Sequence, residues 1–468
     1  MNFLPVVLWT DALFFLLVVV AGGMIFHVRR SEPLREAWSK VGRRAAGMAS
    51  ATILLVFLTL GVIDSLHYRA ALPAAAGDAK VAYSSEVLSA LDAVLASLRK
   101  QTEKTYSAPF ATELYARETV ELPGGGQARV YPRLAYGGAH LADPQADRAR
   151  DIARRALAGA GVGLLVWGVI ALAVTAALAR RSGRSLANSA HALVRGRTVL
   201  AWRSALVTLG LLLVSVGVLV ALAPYYHVFG TDKVGQDVLY LSLKSVRTAL
   251  IIGTLTTLVM LPFAVALGIL AGYLGGWVDD LIQYLYTVLS AIPGVLLIAA
   301  AVLMMQVVID THLQWFSTAA ERADARLMAL CMILGITSWT GLCRLLRGET
   351  LKLRELEYVQ AARAFGVRTS AIMRRHVLPN VMHIVLIALV MDFSGLVLAE
   401  AVLSYVGIGV DPTTISFGTM INMARAELAR DPMVWWSLLA AFVFMFVLVL
   451  SANLFADVVR DAFDPRRS

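Results

Sequence analysis

Long apolar runs separated by short polar connections dominate this chain. Nine of them, at about 4–26, 47–66, 157–179, 204–223, 247–272, 281–308, 327–346, 380–406 and 434–457, meet or approach the length needed to cross a bilayer, roughly 20 residues of helix. Their length and uniform apolarity predict helices rather than barrel strands. One connection is different: residues 67–156 are polar, mixed in charge and long enough for a small domain. Within it, Val81, Val87, Leu88, Leu91, Val94, Leu95 and Leu98 predict an amphipathic helix over 81–98. Gly124–Gly126 marks a turn between 119–122 and 129–131, a short hairpin. From Pro144 the pattern is helical again and runs into the third span. The chain thus divides into two spans with a basic loop (1–66), the insertion (67–156), a third span with a basic linker (157–203) and six further spans (204–468).

Composition supports the same class. Hydrophobic residues make up 58% of the chain and charged ones 16%, too few charges for a soluble protein of this size. The net charge of +10 sits on short connections beside apolar runs, as at Arg29, Arg30, Arg43, Arg44, Arg180, Arg181, Arg184, Arg374 and Arg375. Nucleic-acid binding is excluded as its explanation, since no binding module surrounds these residues. The positive-inside rule places the three basic connections (29–44, 180–203 and 344–375) in the cytoplasm. The N-terminus and the insertion then lie outside, and the C-terminus inside. The first run lacks a basic stretch before it, so it is expected to be a retained helix rather than a cleaved signal. Cys331 and Cys343, separated by a helical rise of about 18 Å, are too far apart for a disulfide and are expected to be buried and inert.

No catalytic signature is present. The chain has no phosphate-cradling G-x-x-x-x-G-K-[ST] loop, metalloprotease motif or nucleophile elbow, and its eight histidines show no metal-ligand spacing. The informative stretch is cytoplasmic: Glu357-Tyr-Val-Gln-Ala-Ala-Arg-Ala-Phe-Gly366, then Arg374-Arg-His-Val-Leu-Pro-Asn380. It predicts a short helix, a break at Gly366, a second basic helix, and Pro379 near the start of the next span. Ala361 and Ala362 permit close approach by a partner, and Tyr358 and Phe365 can anchor in its groove.

Ala361-Ala362, with Gly366 four positions on and Leu378-Pro379 twelve beyond that, resemble the cytoplasmic coupling motif of ABC-importer permeases. Gln360 departs from the usual glutamate there. Three further segments narrow the resemblance to the C-type permease of dipeptide/oligopeptide and nickel importers: His227-Val-Phe-Gly-Thr-Asp-Lys-Val-Gly-Gln-Asp-Val238, Ala271-Gly-Tyr-Leu-Gly-Gly-Trp-Val-Asp279, and Leu398-Ala-Glu-Ala-Val-Leu-Ser-Tyr-Val-Gly-Ile-Gly409. The ending Asp457-Val-Val-Arg-Asp-Ala-Phe-Asp-Pro465 agrees as well. The resemblance covers about 204–468 and leaves 1–203 outside the pattern.

It implies an all-α, polytopic helical membrane protein with a six-span permease core, preceded by three extra spans and the insertion. It also implies import of peptides or a related small solute across the bacterial inner membrane by alternating access. The expected partners are a second permease subunit, two ATP-binding subunits that carry ATP and Mg2+, and an extracytoplasmic solute-binding protein. This chain itself is expected to bind no cofactor and to be no enzyme. ATPase coupling falls to Glu357, Tyr358, Gln360, Ala361, Ala362, Phe365, Gly366, Leu378 and Pro379. Thr231, Asp232, Gly235 and Asp237 carry the extracytoplasmic family motif.

Local readings stay open beside this one. Thr231, Asp232 and Gly235 can simply cap an interfacial helix over 238–244. Asp392 either lines the translocation path or is hydrogen-bonded between helices. Glu400 is expected to bind backbone groups of the 407–409 turn, Asp11 to reach the membrane interface, and His376 to be structural. The insertion is either a spacer or a docking or gating module. The other function readings are an importer for nickel, a metallophore or a glycoside, a membrane sensor, and a passive channel.

Overall fold

The computed structural model describes residues 3–72, 83–121 and 127–463. Among them, nine helical segments are long and apolar enough to cross a membrane, in agreement with the sequence count. The first three are α1 (Trp9–Arg30), α3 (Ala45–Asp64) and the 39-residue α6 (Pro144–Ser182). Between α1 and α3, the amphipathic α2 (Glu32–Arg43) lays Trp38 and Val41 against the C-terminal end of the last helix. Asp143 caps α6 by accepting from the backbone N–H groups of Gln145 and Ala146, so the helix starts in the insertion and continues into the span, as the pattern predicts.

The insertion is only partly helical. β1 (Phe3–Val6), β2 (His67–Ala70) and β3 (Leu88–Ser89) form a small antiparallel sheet. This corrects the helix expected over 81–98. Leu88 and Ser89 pair with Tyr68 and His67. The Ser89 hydroxyl and Asp92 carboxylate then form a reciprocal capping box, so helix begins only at α4 (Ala90–Val94), followed by α5 (Ala96–Lys100). Val81 lies outside the described residues. The predicted hairpin is present as β4 (Glu118–Glu121) against β5 (Gln127–Val130), and its glycine turn falls outside the described residues.

After the short α7 (Leu186–Val194), the C-terminal six spans begin with α8 (Trp202–Leu222) and the 37-residue α9 (Val238–Leu274). The interfacial helix expected over 238–244 is the first part of α9. Its cap is Asp237, which accepts from Leu239 and Tyr240, rather than Thr231 or Asp232. Gly275, at φ +67°, turns the chain into α10 (Gly276–Ala291). The single span expected over 281–308 is instead broken. Pro293 has no N–H and forces Ile292 extended, ending α10 before α11 (Gly294–Thr311) starts.

α12 (Ala319–Ser338) and α13 (Thr340–Arg354) form one bent rod. Beyond it come α14 (Glu357–Ala364), α15 (Thr369–Ile372), α16 (Leu378–Val406), α17 (Phe417–Glu427) and α18 (Trp436–Phe463). Two apolar cores organise the molecule. One gathers α3, α9, α12, α17 and α18 around Ile251, Ile252 and Leu334; the other gathers the far half of α9 with α10, α13, α14 and α16 around Leu346, Val359 and Val381. Cys331 and Cys343 are buried, unpaired members of these cores.

Candidate functional site

At one end of the helical bundle, α14 is a lightly tethered helix. Val359 and Ala362 pack into the core, while Glu357, Gln360 and Ala361 face outward. Tyr358 is 45% exposed and Phe365 87%. Gly366 ends α14 with φ +75°. The Val367 N–H closes back on the Ala362 carbonyl, which a residue with a Cβ would make strained. A Cβ there would touch nothing within 4 Å, so the demand for glycine is purely one of backbone conformation.

Past the turn, the structure differs from the separate basic helix expected. α15, a π turn over Met373–Val377, and α16 form one continuous rod from Thr369 to Val406. Pro379, inside this rod, cannot donate to the preceding turn, which accounts for the wider π winding just before it. Leu378 packs on the core beside the turn. The Asn380 amide donates to the Tyr358 hydroxyl at 3.0 Å, and the Tyr358 and His376 rings lie 6.0 Å apart. Arg347 donates twice to Asp279, at 2.5 and 2.7 Å, fixing α13 to α10. The arrangement joins an exposed apolar anchor to a membrane-spanning rod through one turn and one hydrogen bond.

On the opposite side, Thr231, Asp232, Gly235 and Asp237 fold into a closed loop. Thr231 pairs with Asp237, and the Asp232 carboxylate accepts from Val234 and Gln236. The insertion sits on this loop. The Glu103 N–H donates to the Gly235 carbonyl at 2.9 Å, and a Cβ on Gly235 would lie 1.8 Å from the Glu103 carbonyl oxygen. The Thr231 hydroxyl accepts from the Ser107 N–H at 2.6 Å.

Buried His227 lies between Asp237 (2.8 Å) and Glu103 (3.4 Å). Burial alone lowers an imidazole pKa, but hydrogen bonds to Asp237 and then Glu103 outweigh it and push His227 up to about 9. Burial likewise raises Glu103. Its bonds to His227 and to the N–H groups of Ala135, Tyr136 and Gly137 prevail and bring it down to about 2. The ring is therefore a buried cation between two carboxylates at neutral pH.

Sequence reasoning missed a second layer of this seat. Lys244 reaches Asp64 (2.6 Å) and Asp92 (3.2 Å), and the Tyr240 hydroxyl also donates to Asp92. Arg247 pairs with Asp11, which His67 holds from its other side. Asp11, in the first turn of its span, is thus fully buried within the protein. The available signal was opposite charge at the span ends: Asp11 and Asp64 at the ends of two spans, Lys244 and Arg247 in the first turns of a third.

Glu400 also departs from expectation. It accepts from the hydroxyls of Ser404 and Ser416, because α17 packs side-on against α16 and brings Ser416 to it. Asp392 is half-buried and makes no hydrogen bond or ion pair among the described residues. No group of three or more His, Cys, Asp or Glu side chains among the described residues is placed to hold a metal ion.

Residues 264–468 match the family model described as a binding-protein-dependent transport system inner membrane component. The chain is 33% identical over 239 residues to the oligopeptide transport system permease protein OppC of Mycobacterium tuberculosis (strain CDC 1551), covering 51% of this chain and 76% of that protein. Over 242 residues it is 31% identical to the dipeptide permease protein DppC of Lactococcus lactis, covering 52% and 64%. It is 32% identical over 242 residues to the glutathione permease protein GsiD of Pectobacterium atrosepticum, covering 51% and 73%. With its nine apolar spans and its similarity to these permeases, the chain belongs to the binding-protein-dependent transport family and is a multi-pass inner-membrane permease subunit of an ABC importer.

Proposed function

We propose that this chain forms half of the translocation path of an ATP-driven importer of peptides, with a second permease supplying the other half. Two ATP-binding subunits carry ATP and Mg2+ and close beneath α14, and an extracytoplasmic binding protein delivers cargo to the opposite face. The chain itself hydrolyses nothing. The observation that carries the reading is the exposed α14, with Tyr358, Ala361 and Phe365 outward and Val359 rooted in the core. A push on Phe365 travels through Gly366 and the Tyr358–Asn380 contact into the rod that ends at Val406. Glu357, Gln360, Ala362, Leu378 and Pro379 shape that contact.

The cargo class follows the named relatives, oligopeptide, dipeptide and glutathione permeases. The basic connections around Arg29–Arg30, Arg180–Arg203 and Arg344–Arg375 favour a cytoplasmic α14 with the N-terminus outside and the C-terminus inside. The test is cross-linking. Phe365→Cys, in a chain whose native Cys331 and Cys343 are buried, is expected to form an adduct with an ATP-binding subunit that changes with bound nucleotide. An accessible Cys that captures no such subunit overturns the reading.

A further inference from the structure

Asp392 lies at the middle of the 29-residue α16, about 21 Å of helix from either end. With a hydrocarbon core of about 30 Å, that puts a carboxylate near the bilayer midplane, where its short side chain cannot reach either interface. The buried carboxylates in or at the ends of the spans hold donors: Asp11 has Arg247 and His67, Asp64 has Lys244, Asp324 has Thr10, and Glu400 has two serines. Asp392 has none among the described residues.

The two sides of α16 are unlike. One is packed: Ser394, Val397, Glu400 and Ala401 are buried, and Phe393 lies over Gly253 of α9. Asp392 sits at the edge of that side: Leu396 and Val385 on one flank are buried, while on the other Leu389 is exposed and a Cβ on Gly395 would meet nothing within 4 Å. The exposed strip continues through Met391, Leu398 and Val402. The extra spans do not account for this strip, since α1, α3 and α6 pack on α8, α9, α12 and α18. Lipid is a poor cover for it, because intramembrane carboxylates face a partner, the bundle interior or a water-filled cavity. A water-filled path along this strip is the setting in which the carboxylate would meet a solute.

The chain's permanent cations show what a fixed ion pair looks like here. Lys244 meets Asp64, Asp92 and Ser89; Arg247 meets Asp11, Ser65 and Thr10; Arg326 meets Asp310 and Asp411. Each has at least two oxygen acceptors. Asp392 offers one carboxylate among Leu and Met side chains, an arrangement that holds a cation briefly and lets it leave.

We propose that Asp392 is the transient counter-charge for a protonated primary amine of the cargo as it crosses the midplane. This rests on the importer reading above, and every peptide with a free amino terminus other than proline carries such a group. The experiment uses the complete importer in lipid vesicles (both permeases, ATPases and binding protein) and uptake of labelled di- and tetra-alanine. Asp392→Asn should slow uptake at least tenfold with subunit recovery and binding-protein-stimulated ATP hydrolysis unchanged, and Asp392→Glu should restore most of the rate. Asp392→Cys should react with 2-aminoethyl methanethiosulfonate, more slowly when cargo is present. Wild-type uptake by Asp392→Asn overturns the assignment, as does an unreactive Asp392→Cys. Loss of the second permease from the Asp392→Asn complex also overturns it, by making Asp392 a subunit contact. If the wild-type importer moves neither peptide, the peptide reading itself fails, and the Asp392 assignment with it.

Discussion

Glu103→Gln tests the junction between the insertion and the permease core by removing the charge and one acceptor oxygen while keeping the side chain's shape. The rise of His227 from 6.5 to about 9 corresponds to about 3 kcal/mol of preference for the charged ring in the folded protein. Asp237 supplies more of it than Glu103, leaving about 1 kcal/mol to Glu103. Of the three backbone N–H groups, Tyr136 and Gly137 keep a neutral acceptor while Ala135 faces the amide NH2 and loses its bond, about 1 kcal/mol more. The total, about 2 kcal/mol, is about a 30-fold change in local opening. Hydrogen exchange at Ala135, Tyr136 and Gly137 reads it directly, and these amides should exchange about 30-fold faster in the variant.

The pH dependence has a definite sign. His227 titrates higher folded than unfolded, so its contribution is complete below 6.5 and is lost as pH rises through about 9. Glu103 titrates lower, so its contribution is complete above 4.5 and is lost as pH falls toward about 2. The junction should be tightest between 4.5 and 6.5 and loosen first on the alkaline side. Unchanged protection in Glu103→Gln, or protection that rises toward pH 9 after correction for intrinsic exchange, refutes this reasoning.

Three other substitutions probe separate parts of the structure. Gly366→Val forces a β-branched residue to φ +75° at about 2 kcal/mol. Uptake per ATP hydrolysed in vesicles should collapse, while Gly366→Asn keeps most of it; normal coupling with valine removes the turn from the mechanism. Lys244→Met leaves Asp64 and Asp92 buried without their cation, a loss of about 3 kcal/mol or more. The unfolding midpoint in detergent should drop and partly recover when Asp64→Asn is added, and a midpoint that does not move contradicts the buried cluster. Asp143→Ala removes the α6 cap, about 1 kcal/mol, and should speed exchange at Gln145 and Ala146; unaltered exchange there argues against the cap.

The spans were legible because crossing a bilayer demands a run of apolar residues that no tertiary contact can disguise. Gly366 was legible for a similar reason: a helix ending in a left-handed turn favours glycine wherever it occurs. Leu88 and Ser89 were not. Their place in an amphipathic pattern was outweighed by pairing with His67 and Tyr68 and by a local cap on Asp92. The break at Pro293 was overlooked because hydropathy averages across it, although the proline itself was the signal. The buried ion pairs were the least accessible feature. Arg247 and Asp11 stand 236 residues apart, and only the packing of α1 and α3 on α9 makes them neighbours. That packing also changes how the insertion can be studied: removing it whole would take Asp92 from Lys244 and Glu103 from His227, so single substitutions test its role more cleanly.

The most direct test of the central claim is affinity purification of this chain from its native membrane, with identification of all co-eluting proteins. Recovery of a second permease together with P-loop ATP-binding subunits, lost on Phe365→Ala for the ATP-binding subunits alone, is the predicted result. Recovery of the chain by itself, or with a signalling kinase in place of the ATP-binding subunits, contradicts the account.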